Sequence, residues 1–368
     1  MDNLTHTLTG IALSRAGLNR KTRFATLALI VGSNAPDVDI LTRFKGSVAY
    51  LEYHRGITHS LLGASGLAVV LAFLIYIPGR LARTKPSTRV PDVRWLVLLC
   101  WIAVLSHVLL DFTNAYGVRL LLPFSGRWFA WDIMPIIDPM LLLLLVAGLC
   151  LPLLFRLISE EVGASKTGYR RGSILALVAM VVLWGLRDIG HRRVLALLEA
   201  NNYNDEPPER AGAFPTLNPF SWTGVVETDS AYHVLPASAL ASDVAAEYAT
   251  LFRKPQPSAA LQAALQTHVG RVFSDFARFP WAQVEPLSDD QDSPRRSGQE
   301  DNAAGESEEA GGPNGAGNAN LLHVSGYEVR IHDLRFGAEP GAFQATVELD
   351  RNLRVRSESF SFMGRRTD

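Results

Sequence analysis

The sequence is short of charge. Asp, Glu, Lys and Arg make up 19% of its 368 residues, below the roughly 25% usual for a soluble globular chain. Apolar residues reach 48% and crowd into the first half. Cysteine is almost absent. Cys100 and Cys150 both lie inside apolar runs, which argues against a disulfide framework and makes buried, inert thiols the expectation. There is no basic excess either: a net charge of −1 provides no field to gather nucleic acid. Met1-Asp2-Asn3 carries no basic stretch ahead of an apolar one, so a cleaved signal peptide is not expected.

What the sequence does have is a series of apolar segments. Residues 4–18 and 24–33 read as two short helices, the first capped by Asp2 or Asn3 and the second halted before Pro36, because proline disfavours helix at the preceding residue. Both fall short of the roughly 20 residues a span needs, so a helical hairpin dipping into the bilayer, or packed on longer helices, is expected. Longer runs follow at 61–77, 95–110, 139–155 and 173–186. Asp138 stands as the N-cap of the third of these, with Pro139 in its first turn. Any one run could be a buried core helix; six together indicate an integral membrane domain. An amphipathic continuation over 188–203 is expected to leave the membrane.

If each segment crosses in turn, one side collects thirteen lysines and arginines and the other eight. The richer side, with Arg20, Lys21 and Arg23, is then cytoplasmic.

The chemistry-bearing residues fall at the opposite ends of these helices. The stretch Tyr53-His54-Arg55-Gly56-Ile57-Thr58-His59-Ser60 is the densest of them. His54 and His59 are five apart and share no helical face, so Thr58 is expected as N-cap, with His59 in the first turn. Taken alone the stretch is a capped helix start or half of a metal site. His6 opens the first segment, Asp37 and Asp39 follow the second, and Asp132 and Asp138 precede the fifth. His107 and Asp111 close the fourth on a shared face, four residues apart. Topology thus gathers histidines and carboxylates into one layer, where ionisable groups are expensive and usually functional. Such ligands suit zinc or manganese. His6, Asp39, His59, His107 and Asp111 are the candidate metal ligands. Asp37 and His54 are candidates for a second metal position or a general base. Arg55 is a candidate for steadying a phosphate or carboxylate or, equally, for anchoring to lipid head groups.

The Asp2-Asn3-Leu4-Thr5-His6-Thr7 opening, the Pro36-Asp37-Val38-Asp39 turn, the His54-to-Ser60 stretch and the His107-x-x-x-Asp111 pair resemble, in the same order, the bacterial inner-membrane metal-dependent hydrolases, also described as LexA-binding inner-membrane hydrolases. The resemblance covers about residues 1–190. It implies a metal site more firmly than any substrate. Nothing in the chain looks like a DNA- or repressor-binding surface.

Beyond residue 190 the composition changes. Residues 204–222 are proline-rich and loop-like, 222–228 read as a strand, and 238–252 and 257–276 read as helices. Residues 288–320, poor in apolar residues, read as disordered. Three strand-like runs follow at 327–335, 342–349 and 353–362. His233, His268, His323 and His332 have no ligand-like spacing, and Arg365-Arg366 reads as a solvated end.

The expected protein is mostly α: a multi-pass helical membrane domain, residues 1–190, and a small extracytoplasmic α+β domain, residues 191–368. Its expected chemistry is metal-assisted hydrolysis at the outer face of a bacterial inner membrane, with a membrane lipid or other small molecule as substrate and no nucleic acid partner. The rival expectation is a non-enzymatic scaffold or transporter with a structural metal.

Overall fold

The computed structural model of the chain describes residues 1–82, 90–162, 169–288, 324–339, 343–362 and 365–367. A helical part comes first. α1 (Asn3–Arg15) begins at Asp2, whose carboxylate accepts the Thr5 N–H, and α2 (Ala25–Gly32) runs back beside it. Pro36 ends α2 as regular helix, but the chain continues as a 3-10 segment, Ala35–Lys45. A short helix not foreseen from sequence, α3 (Ser47–Tyr53), follows. α4 (Leu61–Leu81), α5 (Val93–Phe112), α6 (Pro139–Val162) and α7 (Tyr169–Glu199) complete this part.

Among the described residues three helices, α4, α5 and α7, are long and apolar enough to cross a membrane. α4 shows how the helices suit that setting. Its buried stripe is Ala64, Ala68 and Ala72, packed on Leu96, Cys100 and Ala103 of α5, while the bulky Val70, Phe73, Leu74 and Ile77 face outward. A water-soluble helix would reverse this; small residues between helices and large apolar ones outside are what lipid favours. α7 is a single helix of 31 residues, about 46 Å long, which joins the apolar run at 173–186 to its amphipathic continuation. It therefore overshoots an apolar bilayer core of about 30 Å. Its last turns carry Val194 and Leu198 into the core of the first sheet.

The second part is built on two antiparallel sheets. One has the order β1 (Arg210–Pro215), β2 (Ser221–Glu227), β3 (Ala231–Ser238), β4 (Thr250–Arg253). The other runs β5 (Pro280–Ser288), β6 (Val324–Asp333), β7 (Gln344–Asp350), β8 (Val355–Phe362), β9 (Arg365–Thr367). Helices α8 (Ala259–Gln266) and α9 (His268–Phe276) pack on the second sheet.

Several local expectations are corrected here. Ser60, not Thr58, caps α4: its hydroxyl accepts the Gly63 N–H, and His59 lies in the 3-10 turn before the helix. The 204–222 stretch holds β1. The expected helix at 238–252 is instead the end of β3, a 3-10 turn and β4, and the expected helix at 257–276 is two helices broken at Thr267, the cap of α9. Arg365 and Arg366 belong to β9 rather than a free end. Both cysteines are unpaired, but Cys150 is exposed rather than buried. Except for Ser288 in β5, the stretch read as disordered lies outside the described residues.

The two parts are joined by a shared core. Leu51 of α3 and Tyr116, in the segment after α5, pack with Phe273, Phe276, Phe343 and Phe360. Polar ties reinforce this joint. Arg278 forks onto both oxygens of Asp132 at 2.9 and 2.6 Å, and Arg335 donates to the carbonyl of Ala115 at 2.5 Å. The second sheet is therefore held over the end of the helices where the histidines lie.

Candidate metal centre

Four side chains from three separate stretches converge at that end. The 3-10 segment brings Asp37, the turn before α4 brings His59, and the last turns of α5 bring His107 and Asp111 on one face. His59 sits where it does because Gly63 lets the turn fold flat on α4. A Cβ at that glycine would lie 1.8 Å from the carbonyl oxygen of Ile57, so no other residue fits.

The distances are those of a metal shell. His59 Nε2 lies 3.1 Å from His107 Nε2 and 3.2 Å from Asp111 Oδ2. His107 Nε2 is 3.4 Å from Asp111 Oδ2 and 3.4 Å from Asp37 Oδ1, and His59 Nε2 is 3.7 Å from Asp37 Oδ1. Four donors on a tetrahedron with bonds of about 2 Å stand about 3.3 Å apart.

Hydrogen bonds behind the ligands fix which ring atoms face inward. His107 Nδ1 lies 2.8 Å from the backbone carbonyl of Ser33, which can only accept, so Nδ1 carries the proton. His59 Nδ1 faces Thr58 Oγ1 at 3.0 Å and Asp39 Oδ2 at 3.3 Å, while the Thr58 hydroxyl donates to the same carboxylate oxygen at 2.9 Å. With its Nδ1 held from behind, each ring aims Nε2 at one point, and the backing groups are those that orient histidine ligands. Asp111 is completely buried, and its Oδ2 accepts no hydrogen bond. Two lone pairs and two carboxylate oxygens this close repel one another unless a cation lies among them, so the residues fit a divalent metal ion.

The other candidates take different places. His6 is buried beside the group rather than in it. It stacks on His107 at 3.7 Å, and its Nε2 lies 3.4 Å from Asp111 Oδ1. Of the expected ligands His6, Asp39, His59, His107 and Asp111, the group contains His59, His107 and Asp111, with Asp37 as its fourth donor. Asp39, expected as a ligand, has both oxygens occupied. They accept from His54 Nδ1, the Arg55 N–H and the Thr58 hydroxyl, each at 2.9 Å, and face His59 Nδ1. It can still group with Asp37 and His54 around a second position that shares Asp37. Burial opposes ionisation of Asp39, but His54 and His59 outweigh it and hold the carboxyl below the usual range. Burial lowers the pKa of His54. Asp37 is also held low, its burial outweighed by His107.

Arg55 is buried, with Nη2 3.1 Å from Asp111 Oδ1 and Nη1 2.9 Å from Asn114 Oδ1. Its φ of 55° is a left-handed conformation that costs a non-glycine residue free energy. The bond from its N–H to Asp39 holds it there. It therefore braces the site and is not a head-group anchor. The Met1 nitrogen also contacts Asp111 Oδ1. Asp132 and Asp138 stand apart, paired with Arg278 and Arg187.

Sequence reasoning missed Asn114, Thr58 and the Ser33 carbonyl as supporting groups. Asn114 follows Asp111 by three residues and carried a weak signal. A backbone carbonyl carries none.

A family model described as YdjM inner membrane protein matches residues 1–194. The chain belongs to the YdjM inner membrane protein family. Every residue of the metal group lies inside the YdjM match, and both sheets lie outside it. Among curated proteins, the chain is similar to "Uncharacterized protein YfhP" of Bacillus subtilis (strain 168), 30% identical over 164 residues, or 41% of this chain and 46% of that protein. The chain thus spans less than half the length of that relative. No solved structure matches.

Proposed function

We propose that this protein is a membrane-embedded metal-dependent hydrolase whose site opens at the extracytoplasmic face. The observation that carries the reading is the pair of buried Nε2 lone pairs 3.1 Å apart, closed by two carboxylate oxygens at tetrahedral spacing. A divalent ion held there, zinc by the ligand set or manganese, would supply an acidified water and a polarised bond. The chain's own residues do the rest. Asp37, the most exposed of the four donors, also lines a cavity of about 200 Å³ together with His54, Arg55, Tyr50 and Tyr116. Its carboxylate is placed to take a proton from water, and His54 stands beside it as a second base. Arg55 holds Asp111 in place.

The orientation rests on the basic residues. Those that follow α1 and those in the first turn of α7 lie at the far end from the site, where Arg15 donates to the Leu149 carbonyl and Arg170 to the Ala16 carbonyl. The sheet-rich part, from about residue 191, would then form an extracytoplasmic domain. A site at the membrane surface suits a lipid or a lipid-linked ester.

One observation favours a second reading, a structural metal in a non-enzymatic scaffold: four protein donors already complete a tetrahedron, and closed shells mark structural zinc. Metal analysis of the detergent-purified protein, with hydrolysis screened on phosphoester and carboxylic ester lipids, separates the two. Metal with turnover supports the enzyme, metal without turnover the scaffold. Protein that takes up no divalent ion overturns both.

A further inference from the structure

The cavity beside the metal group has two unlike walls. The helical part supplies Asp37, His54 and Arg55, and the second part supplies Phe343, just before β7, and Phe360 of β8. A continuous aromatic path joins them. The His54 ring meets Tyr116 at 5.6 Å, Tyr116 meets Phe343 at 6.3 Å, and Phe343 meets Phe360 at 4.9 Å. Ile40 and Ile136 complete the apolar lining. The polar wall lies within the family match, and the phenylalanine wall lies outside it.

Resting on the hydrolase reading, we propose that Phe343 and Phe360 are specificity-determining residues, and that the site takes a substrate with a compact apolar group next to the anionic or ester centre. The charged side receives the reacting centre and the sheet receives the apolar group. Size sets the limit. A cavity of about 150 Å³ holds a benzene ring. The roughly 200 Å³ here must also admit the polar head, which leaves room for about four to six carbons. A longer chain would run out through the opening, so the sheet reads only the part nearest the reacting bond.

The test is binding of alkylphosphonates, from methyl to hexyl, and of phenylphosphonate to the metal-loaded, detergent-solubilised full chain, measured by calorimetry. These compounds present an anionic head and are not hydrolysed at an ester bond. Affinity should rise about fourfold per methylene and level off at four to six carbons. Phe343→Leu and Phe360→Leu keep an apolar core residue, and Ile40→Ser changes an exposed lining residue that the fold does not need. Each should flatten the rise while leaving metal content and methylphosphonate binding unchanged. No phosphonate binding, affinity independent of chain length, or a rise unaltered in Phe343→Leu and Phe360→Leu overturns the proposal. A preserved rise in a protein that hydrolyses no ester removes the hydrolase reading and leaves the wall standing. Turnover without chain-length dependence does the reverse.

Discussion

Asp39→Asn tests the centre where sequence and structure part. The sequence made Asp39 a ligand; the structure makes it the carboxylate that orients His59. Asparagine keeps the shape and one accepting oxygen. Placed with that oxygen at the Oδ2 position, it still accepts from the Arg55 N–H and the Thr58 hydroxyl, both at 2.9 Å. Its amide nitrogen then faces His54, a partly exposed ring that can turn its unprotonated nitrogen toward it. What is lost is the negative charge behind His59 Nδ1. Loss of such a supporting partner costs about 10- to 100-fold in metal affinity, or about 1.4–2.7 kcal/mol. Asp39→Ala should cost at least as much. It should also destabilise the metal-free protein, because a buried N–H without a partner costs about 1–3 kcal/mol. Competition with a chromophoric chelator gives the affinity, and atomic emission the stoichiometry. Asparagine binding within threefold of wild type would refute the orienting role. A fall from two ions to one per chain would restore Asp39 as a ligand of a second metal.

Chelation of the loaded protein should lower its melting temperature by an amount equivalent to about 2.7 kcal/mol at a free metal concentration 100 times the dissociation constant; an unchanged melting curve removes the metal from the folded state. Ser60→Ala removes the α4 cap and should cost about 1 kcal/mol, read by denaturation, whereas Thr58→Ala should instead weaken metal binding. Acidification should release metal because protons compete for the imidazole nitrogens. Asp39 will not carry that loss: its depressed carboxyl contributes its full stability above the unfolded value of about 3.9 and loses it only at lower pH. An impermeant thiol reagent applied outside intact cells should label Asp229→Cys and spare Lys21→Cys, and the opposite result would reverse the orientation.

The membrane character of the helical part was legible because it depends on composition and length alone. The runs at 61–77 and 95–110 became α4 and α5 with small shifts at their ends. The polar layer was legible for a related reason. If the helices cross in alternation, every second end comes to the same side, which puts His59, His107 and Asp111 at one level. Their approach to within 3.4 Å was not legible. Nor was the exchange of His6 for Asp37. That exchange depends on the 3-10 path of Ala35–Lys45, which follows from packing and not from local preference. The stretch at 238–252 read as helix, yet pairing with β3 made part of it a strand. Propensity is a local quantity, and hydrogen bonding to a distant strand overrides it. The sequence alone therefore determined that the first half holds apolar helices of membrane length and which side chains gather at their polar ends. Only the tertiary structure decided which oxygen and nitrogen atoms converge, and that the second sheet closes over them, because the first rests on contacts between residues tens of positions apart and the second on contacts between residues hundreds apart.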